Sequence, residues 1–452
     1  MPSAQFSIHL LVSLLRVALA ADDGIGMKPL LGWRDWNQFG GAINQDIIIS
    51  TMYAVAAPFP GTNVSLKSLG FLDVGLDDVW QKCGSYGPLN WTYHDANGNP
   101  VVDTDRFPNM SALPATAHSL GLTAGFYGNN CACADHCTDL KCFLGDVNAV
   151  VNWGFDSLKL DGCGKQESIS LWYDLFNWTL SNIPGGKPIL LENCHNGPRT
   201  GSPAAQSPFG PFVPTREWCP FHMYRSSQDI RPQWGSILTN LQTIPPLAAA
   251  NLSFPGCFAY PDMLEVGITE GGVPVLNFTE ARTHFGAWAI VSSPLILGMN
   301  LSDTATVAQF WPIVSNAEAI AVNQEYAGMS GTRFFESADV TKFSPCGWGP
   351  EFRNCTYASQ MYWYKALPGG DIAVLLMNNA DTPALLTLEW DSVPGLLSPQ
   401  GSLVRVRDIW NHADLGVIEG AFVPDAPTLS RDSIFLRLTP LAADVDRMNE
   451  IV

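Results

Sequence analysis

Chemistry enters this chain where charge interrupts apolar runs. Phe155-Asp-Ser-Leu-Lys-Leu-Asp-Gly-Cys-Gly164 is strand-like and carries Lys159 and Asp161 two residues apart. Residues i and i+2 of a strand share a face, so both charges point the same way. A lysine and a carboxylate on a buried strand are costly unless paired. A strand that ends in charge and then glycine suits the C-terminal mouth of a parallel β/α barrel, where active sites sit. An ion pair that only supports the fold is the plain alternative. Three further acidic sites end or interrupt apolar runs: Asp77-Asp78 in Leu76-Asp-Asp-Val-Trp80, Asp229 in Arg225-Ser-Ser-Gln-Asp229, and Asp262 in Tyr260-Pro-Asp-Met-Leu264. Carboxylates brought from several strand ends to one mouth fit glycoside hydrolysis or metal-assisted chemistry. Eight histidines, none in an HxH or HxxE arrangement, favour the sugar chemistry and predict no metal and no cofactor.

The elements that must position these groups follow from the pattern around them. Apolar runs at Leu30–Trp33, Phe71–Leu76, Thr123–Tyr127, Ser157–Leu160 and Ile189–Leu191 alternate with amphipathic windows such as Asn109–Leu120 and Glu167–Leu180. Strand and helix in alternation over some 300 residues predict an α/β (β/α)8 barrel, assigned here to residues 27–328. No glycine-rich phosphate loop follows the first strand, which disfavours a dinucleotide-binding sheet. Beyond Asn323-Gln-Glu325 the texture changes to short β-type runs at Gln360–Ala366, Asp371–Asn378, Leu385–Trp390, Ser402–Asp408 and Ser433–Leu438. Separated by Gly, Pro and Asp, they predict a small antiparallel β-sandwich over residues 329–445.

Composition bounds the setting. Leu10–Ala20 is a short apolar core ending in Ala18-Leu-Ala20, so residues 1–20 read as a signal peptide, too short to span a bilayer. Eight Asn-x-Ser/Thr sequons, at Asn63, Asn90, Asn109, Asn177, Asn251, Asn277, Asn300 and Asn354, point to a secreted or lysosomal/vacuolar lumenal glycoprotein. No membrane span is expected after signal cleavage. A net charge of −18 disfavours nucleic acid, which wants a basic surface. Eleven cysteines in that compartment imply disulfides with at least one thiol left over. The Cys131-Ala-Cys133-Ala-Asp-His136-Cys137 cluster matches no standard zinc spacing and reads better as a crowded disulfide loop.

Taken in order, the motifs resemble glycoside hydrolase family 27, the α-galactosidase and α-N-acetylgalactosaminidase family. Leu31-Gly-Trp-Arg-Asp-Trp-Asn-Gln-Phe39, Leu76-Asp-Asp-Val-Trp-Gln81, Gly125-Phe-Tyr127, Leu158-Lys-Leu-Asp-Gly-Cys163, Arg225-x-x-x-Asp229, Pro261-Asp-Met-Leu264, Ser293-Pro-Leu295 and Asn323-Gln-Glu325 carry the likeness in the barrel. Val406-Arg-Asp-Ile-Trp410 and Leu436-Arg-Leu-Thr-Pro440 carry it in the sandwich. The resemblance implies a retaining α-galactosidase with Asp161 as nucleophile and Asp229 as general acid/base, their carboxyls roughly 5–5.5 Å apart. It implies that Lys159 keeps Asp161 ionised while Asp229 has a raised pKa. Asp77 and Asp78 would read the hydroxyls at C4 and C6, Lys159 and Arg225 would touch sugar hydroxyls, Trp33 and Tyr127 would line the pocket, and Asp262 would lie on the acid/base side. The implied disulfides near the site are Cys131–Cys163 and Cys194–Cys219, with Cys346 and Cys355 closing a loop of the sandwich. The expected partners are α-galactoside oligosaccharides or glycoconjugates, and a homodimer is an admissible assembly.

The chain departs from the family pattern in three places. Gly41 and Val79 stand where a cysteine pair would join the opening loop to the Asp-Asp strand. Tyr260 replaces the first Asp of Asp-Pro-Asp. His195, which follows Cys194, is neither the glutamate that reads a 2-hydroxyl nor the small residue that admits an acetamide. This leaves α-N-acetylgalactosaminidase, or activity on both sugars, as the alternative within the class; β-L-arabinopyranosidase is disfavoured because Asp77 remains to meet a C6 hydroxyl. A non-catalytic sugar-binding protein would have no need of both carboxylates and Lys159.

Overall fold

The computed structural model describes residues 23–128, 131–162, 174–177, 179, 187–194, 214–216, 219–347, 350–396 and 403–441. The signal segment, Cys163, His195 and most of the expected 167–180 helix lie outside the described residues. Eight parallel strands form one sheet: β1 (Leu31–Arg34), β2 (Asp73–Gly75), β3 (Thr123–Gly128), β4 (Ser157–Asp161), β5 (Leu190–Cys194), β6 (Met223–Arg225), β7 (Phe258–Tyr260) and β8 (Leu295–Leu297). They run in sequence order from β1 to β7, with β8 beside β1. A parallel bridge between Leu264 and Leu297, with the Leu264 amide donating to the Ile296 carbonyl at 2.8 Å, closes the ring.

Helices between strands start and stop where the sequence supplies caps. Asn44 accepts from the Ile47 amide to start Gln45–Ala56, and Asn277 with Glu280 forms a full capping box on Phe278–Ile290. Gly154 ends Leu140–Trp153 at φ +95°, a conformation that costs a side-chain-bearing residue more than glycine, and the chain turns directly into β4.

Strand parity sorts the side chains. Arg34, Asp73, Ser157, Lys159, Glu192 and Arg225 share the inward parity, and the Arg34 guanidinium bonds Asp73 at 2.6 Å inside the barrel. Gly75 and Gly125 make room for it: a Cβ at either would meet the guanidinium at 2.6 and 2.8 Å. The opposite parity, including Trp33, Val74 and Leu158, belongs to the main apolar core under the helices. A smaller apolar group of Met223, Tyr260, Met263 and Ile296 fills one side of the bore.

The second unit is a six-stranded antiparallel sheet of β9 (Thr332–Glu336), β10 (Gln360–Ala366), β11 (Ile372–Asn378), β12 (Leu403–Asp408), β13 (Ala413–Glu419) and β14 (Ser433–Pro440), ordered β9-β10-β11-β14-β12-β13. Every residue of β11 is buried, and its two faces go to different cores. Ala373, Leu375 and Met377 join the barrel core; Ile372, Val374 and Leu376 join a core with Leu388, Trp390, Val404 and Val406. β9 and β13, on the two edges and largely uncovered, are the strands that the apolar pattern did not announce. Among the described residues no helix is long and apolar enough to cross a membrane.

Candidate active site

The mouth of the barrel holds a cavity of about 560 Å³ lined by Asp77, Asp78, Tyr127, Lys159, Asp161, Arg225, Asp229 and Asp262, with Trp36, Asn37, Arg231, Gln233, Glu265 and Glu270 around its rim. The five expected carboxylates arrive on four strand ends. Asp77 and Asp78 follow β2, Asp161 closes β4, Asp229 follows β6, and Asp262 follows β7.

Asp77 is fixed on two sides. Its amide donates to Asp35 Oδ1 at 2.7 Å, and its Oδ2 accepts from the Lys159 ammonium at 2.6 Å. Asp78 accepts from the amides of Val79 at 2.7 Å and Ala132 at 3.0 Å. Burial outweighs those donors and pushes the Asp78 carboxyl up to about 6, with Asp77 and Asp161 adding repulsion. The Cys83–Cys133 disulfide links the chain beyond Asp78 to the loop whose Ala132 amide binds it.

Asp161 accepts the Tyr127 hydroxyl at 2.7 Å and the Gly162 amide at 2.5 Å, which fixes both carboxylate oxygens. Lys159 was expected to add positive charge near Asp161. Its ammonium reaches past Tyr127, 5.5 Å from the ring centroid, and bonds Asp77. Burial opposes its charge, and Asp77 ahead of Asp161 helps hold its pKa well above the ordinary lysine value.

On the opposite wall the Arg225 guanidinium is shared between Asp229 at 3.0 Å and Asp262 at 2.9 Å. The Asp229 side chain is 69% exposed, whereas that of Asp262 is buried. Asp262 takes a positive φ of 83° and accepts from the amides of Ile230 at 2.8 Å and Met263 at 2.7 Å, tying its own turn to the residue after Asp229. Burial raises the Asp262 carboxyl, Arg225 pulls it down, and the repulsion of Asp229 raises it again.

Two expectations need correction. Trp33 does not line the cavity: it has the helix-facing parity of β1, is fully buried, and donates its indole N–H to the Met299 carbonyl at 2.9 Å. Trp36, beyond the strand end and 41% exposed, takes the place at the rim. Cys194 does not pair with Cys219. Cys194 sits at the C-terminal end of β5 beside Asp161, with Arg225 Nη1 at 3.4 Å from its sulfur, and is a free buried thiol. Cys219 precedes β6 at the other end of the barrel, where it bonds Cys257. Cys137–Cys142 and Cys346–Cys355 are also formed. Cys131 is disulfide-bonded, and its expected partner Cys163 lies outside the described residues.

Sequence reasoning missed Glu265. It is buried at the cavity edge, bonded to Asn37 through one oxygen, while its other oxygen has no hydrogen-bond partner among the described residues. Burial, with repulsion from Asp262, pushes its carboxyl up to about 8. A carboxyl whose folded pKa is raised binds more protons folded than unfolded across the window from about 4.5 to 8, so folding stability contributed there is lost as pH rises. Glu265→Gln, which has no proton to lose, is therefore expected to gain stability relative to the parent between pH 5 and pH 8, by on the order of a few kcal/mol. Chemical denaturation of both proteins at the two pH values measures it, and a pH-independent difference would contradict the assignment.

A mouth of paired carboxylates on a β/α barrel, backed by lysine and arginine, suits a glycosidase, and the comparisons with known proteins show one. The family profile described as alpha galactosidase A matches residues 28–325, and that of the alpha galactosidase C-terminal beta sandwich domain matches residues 358–438. The chain belongs to the α-galactosidase family, glycoside hydrolase family 27. It is 29% identical over 408 residues to an alpha-galactosidase of Cyamopsis tetragonoloba, covering 88% of this chain and 84% of that one. Its fold is that of alpha-galactosidase I from Mortierella vinacea, with a TM-score of 0.71, 24% identity, and 93% and 98% of the two chains covered. The Saccharomyces cerevisiae alpha-galactosidase solved with raffinose also shares it, with a TM-score of 0.69, 19% identity, and coverage of 93% and 99%.

Proposed function

We propose that the protein removes terminal α-linked galactose from oligosaccharides or glycoconjugates by double displacement with retention of configuration. The observation that carries the reading is the convergence of Asp161 and Asp229 on one cavity with the Asp77–Lys159 pair and Asp78. Asp161 attacks the anomeric carbon and forms a galactosyl ester, while protonated Asp229 gives its proton to the departing glycosidic oxygen. Asp229, now a carboxylate, then takes a proton from water, whose oxygen attacks the anomeric carbon and releases Asp161. Tyr127 and the Gly162 amide hold Asp161 in a fixed pose for attack. Asp77 and Asp78, as acceptors, suit the hydroxyls at C4 and C6, and Arg225 orients Asp229 through a bond it shares with Asp262.

The sequons, the apolar leader and the native disulfides support action in a secreted or lysosomal/vacuolar lumen. The test is side-by-side hydrolysis of p-nitrophenyl α-galactoside and p-nitrophenyl α-N-acetylgalactosaminide. The expected result is a preference of at least about 100-fold in kcat/KM for the galactoside. Equal rates would replace the assignment with a dual-specificity enzyme, and hydrolysis of neither would remove it.

A further inference from the structure

We infer that Arg106 is a positioning residue for sugar recognition, strapping the backbone that presents Asp77 and Asp78 to the opening loop that presents Trp36 and Asn37. Its Nη1 donates to the Val79 carbonyl at 2.9 Å. Its Nη2 donates to the Gly41 carbonyl at 2.6 Å and also to that of Ile43. One planar guanidinium thus holds three carbonyls on two segments that are far apart in sequence, a task that needs the fixed fork of arginine. The strap is itself anchored. The Arg106 carbonyl accepts from the Gln45 amide at 3.0 Å, and the turn that carries Arg106 begins at Asp103, whose amide donates to the Trp80 carbonyl at 2.9 Å.

The held turn is one that would otherwise relax. Val79 is β-branched and takes a φ of +69°, a strained conformation for such a side chain. Its amide binds Asp78 Oδ1 at 2.7 Å and its carbonyl binds Arg106, so the strained residue is fixed at both ends. Relaxation of Val79 would turn the Asp78 carboxylate away from the cavity and, through the adjoining peptide, disturb Asp77. No covalent link does this work, because neither position 41 nor position 79 is a cysteine. Cys83–Cys133 ties this strand end to the loop after β3 and leaves the opening loop unlinked to it.

The inference rests on Asp77 and Asp78 as the galactose readers, with Asp77 meeting the C6 hydroxyl, so the experiment includes Asp77→Asn. Arg106→Met and Arg106→Lys are compared with the parent by kcat/KM on p-nitrophenyl α-galactoside and on its 6-deoxy counterpart, p-nitrophenyl α-D-fucoside. The ratio of the two reports contact with the C6 hydroxyl, which loss of stability alone would not move. The expected result is a fall of about fivefold or more in that ratio for Arg106→Met, with a smaller fall for the lysine variant. Position 41 has room for a side chain, since a Cβ there meets nothing within 4 Å. Adding Gly41→Cys with Val79→Cys to Arg106→Met is therefore expected to restore the ratio once the bond forms, whereas serines at both positions do not.

Ratios within about twofold of the parent in both Arg106 variants, while Asp77→Asn shifts them, would overturn the inference. So would a cross-linked variant that recovers its melting temperature but not its ratio. An unchanged ratio in Asp77→Asn would instead remove the reading of the carboxylate pair itself.

Discussion

Asp161→Ala is expected to lower kcat on α-galactosides by about 10³-fold or more while leaving the fold intact. Asp161 sits at the end of β4, is partly exposed, and accepts from Tyr127 and Gly162, and the Tyr127 hydroxyl keeps a contact with the Cys131 sulfur at 3.3 Å. Lys159, the nearby cation, keeps Asp77 as its partner, so no buried charge is orphaned by the change. The stereochemistry of rescue tests the role. With azide in the space left by the carboxylate, an α-aryl galactoside should give β-galactosyl azide, because one displacement inverts the centre once. Rescue yielding the α-azide, or a variant that keeps the parent's rate, would show that the nucleophile is elsewhere.

Asp229→Ala should behave in the contrasting way. Loss of the general acid costs about 10²–10⁴-fold on a disaccharide, whose leaving oxygen needs a proton. The cost of the first step should be far smaller for a dinitrophenyl galactoside, whose leaving group departs as a stable anion. Without a base for water the galactosyl ester then accumulates, which shows as a burst and a lowered KM. Azide attacks that ester and should release α-galactosyl azide, because two inversions retain configuration. A uniform loss on every substrate would assign Asp229 to structure alone. The shared Arg225 adds a specific expectation for the variant: freed from Asp229, the guanidinium keeps Asp262 at 2.9 Å, so the Ile230 turn remains in place.

Much of this site was legible because strand parity is strict. Lys159 and Asp161 share a face in the structure as they do in the i, i+2 pattern, and the register of β4 against β3 and β5 sets Lys159 beside Tyr127 and Asp161 beside Cys194. Parity also explains the error at Trp33. The sequence motif contains two tryptophans, and choosing between them requires knowing where β1 ends. Arg34 is its last residue, so Trp33 belongs to the strand and its core while Trp36 stands past the end at the rim. The disulfides were less legible, because pairing depends on which end of a strand each cysteine occupies. Cys194 and Cys219 are near in sequence and lie at opposite ends of neighbouring strands. Glu265 left no mark in its own segment, since its partner Asn37 lies on the other side of the ring closure. The sandwich was legible in its central strands, where apolar residues repeat, and not in β9 and β13, whose edge positions remove the pattern.

The last helix of the barrel, Ala317–Gln324, is completed by a residue made much later. Lys365, on β10 and fully buried, donates to the carbonyls of Val322 and Asn323, and burial brings its pKa down to about 7. Beside it the barrel-facing side chains of β10 and β11, such as Trp363, Leu375 and Met377, close the apolar core over the helix Phe278–Ile290. During synthesis the barrel leaves the ribosome first, yet its core stays open until this sheet follows. At ordinary elongation rates that interval is on the order of 10 s. For that time the barrel half of the enzyme has its strands but lacks its outer wall, and a chaperone would find it there.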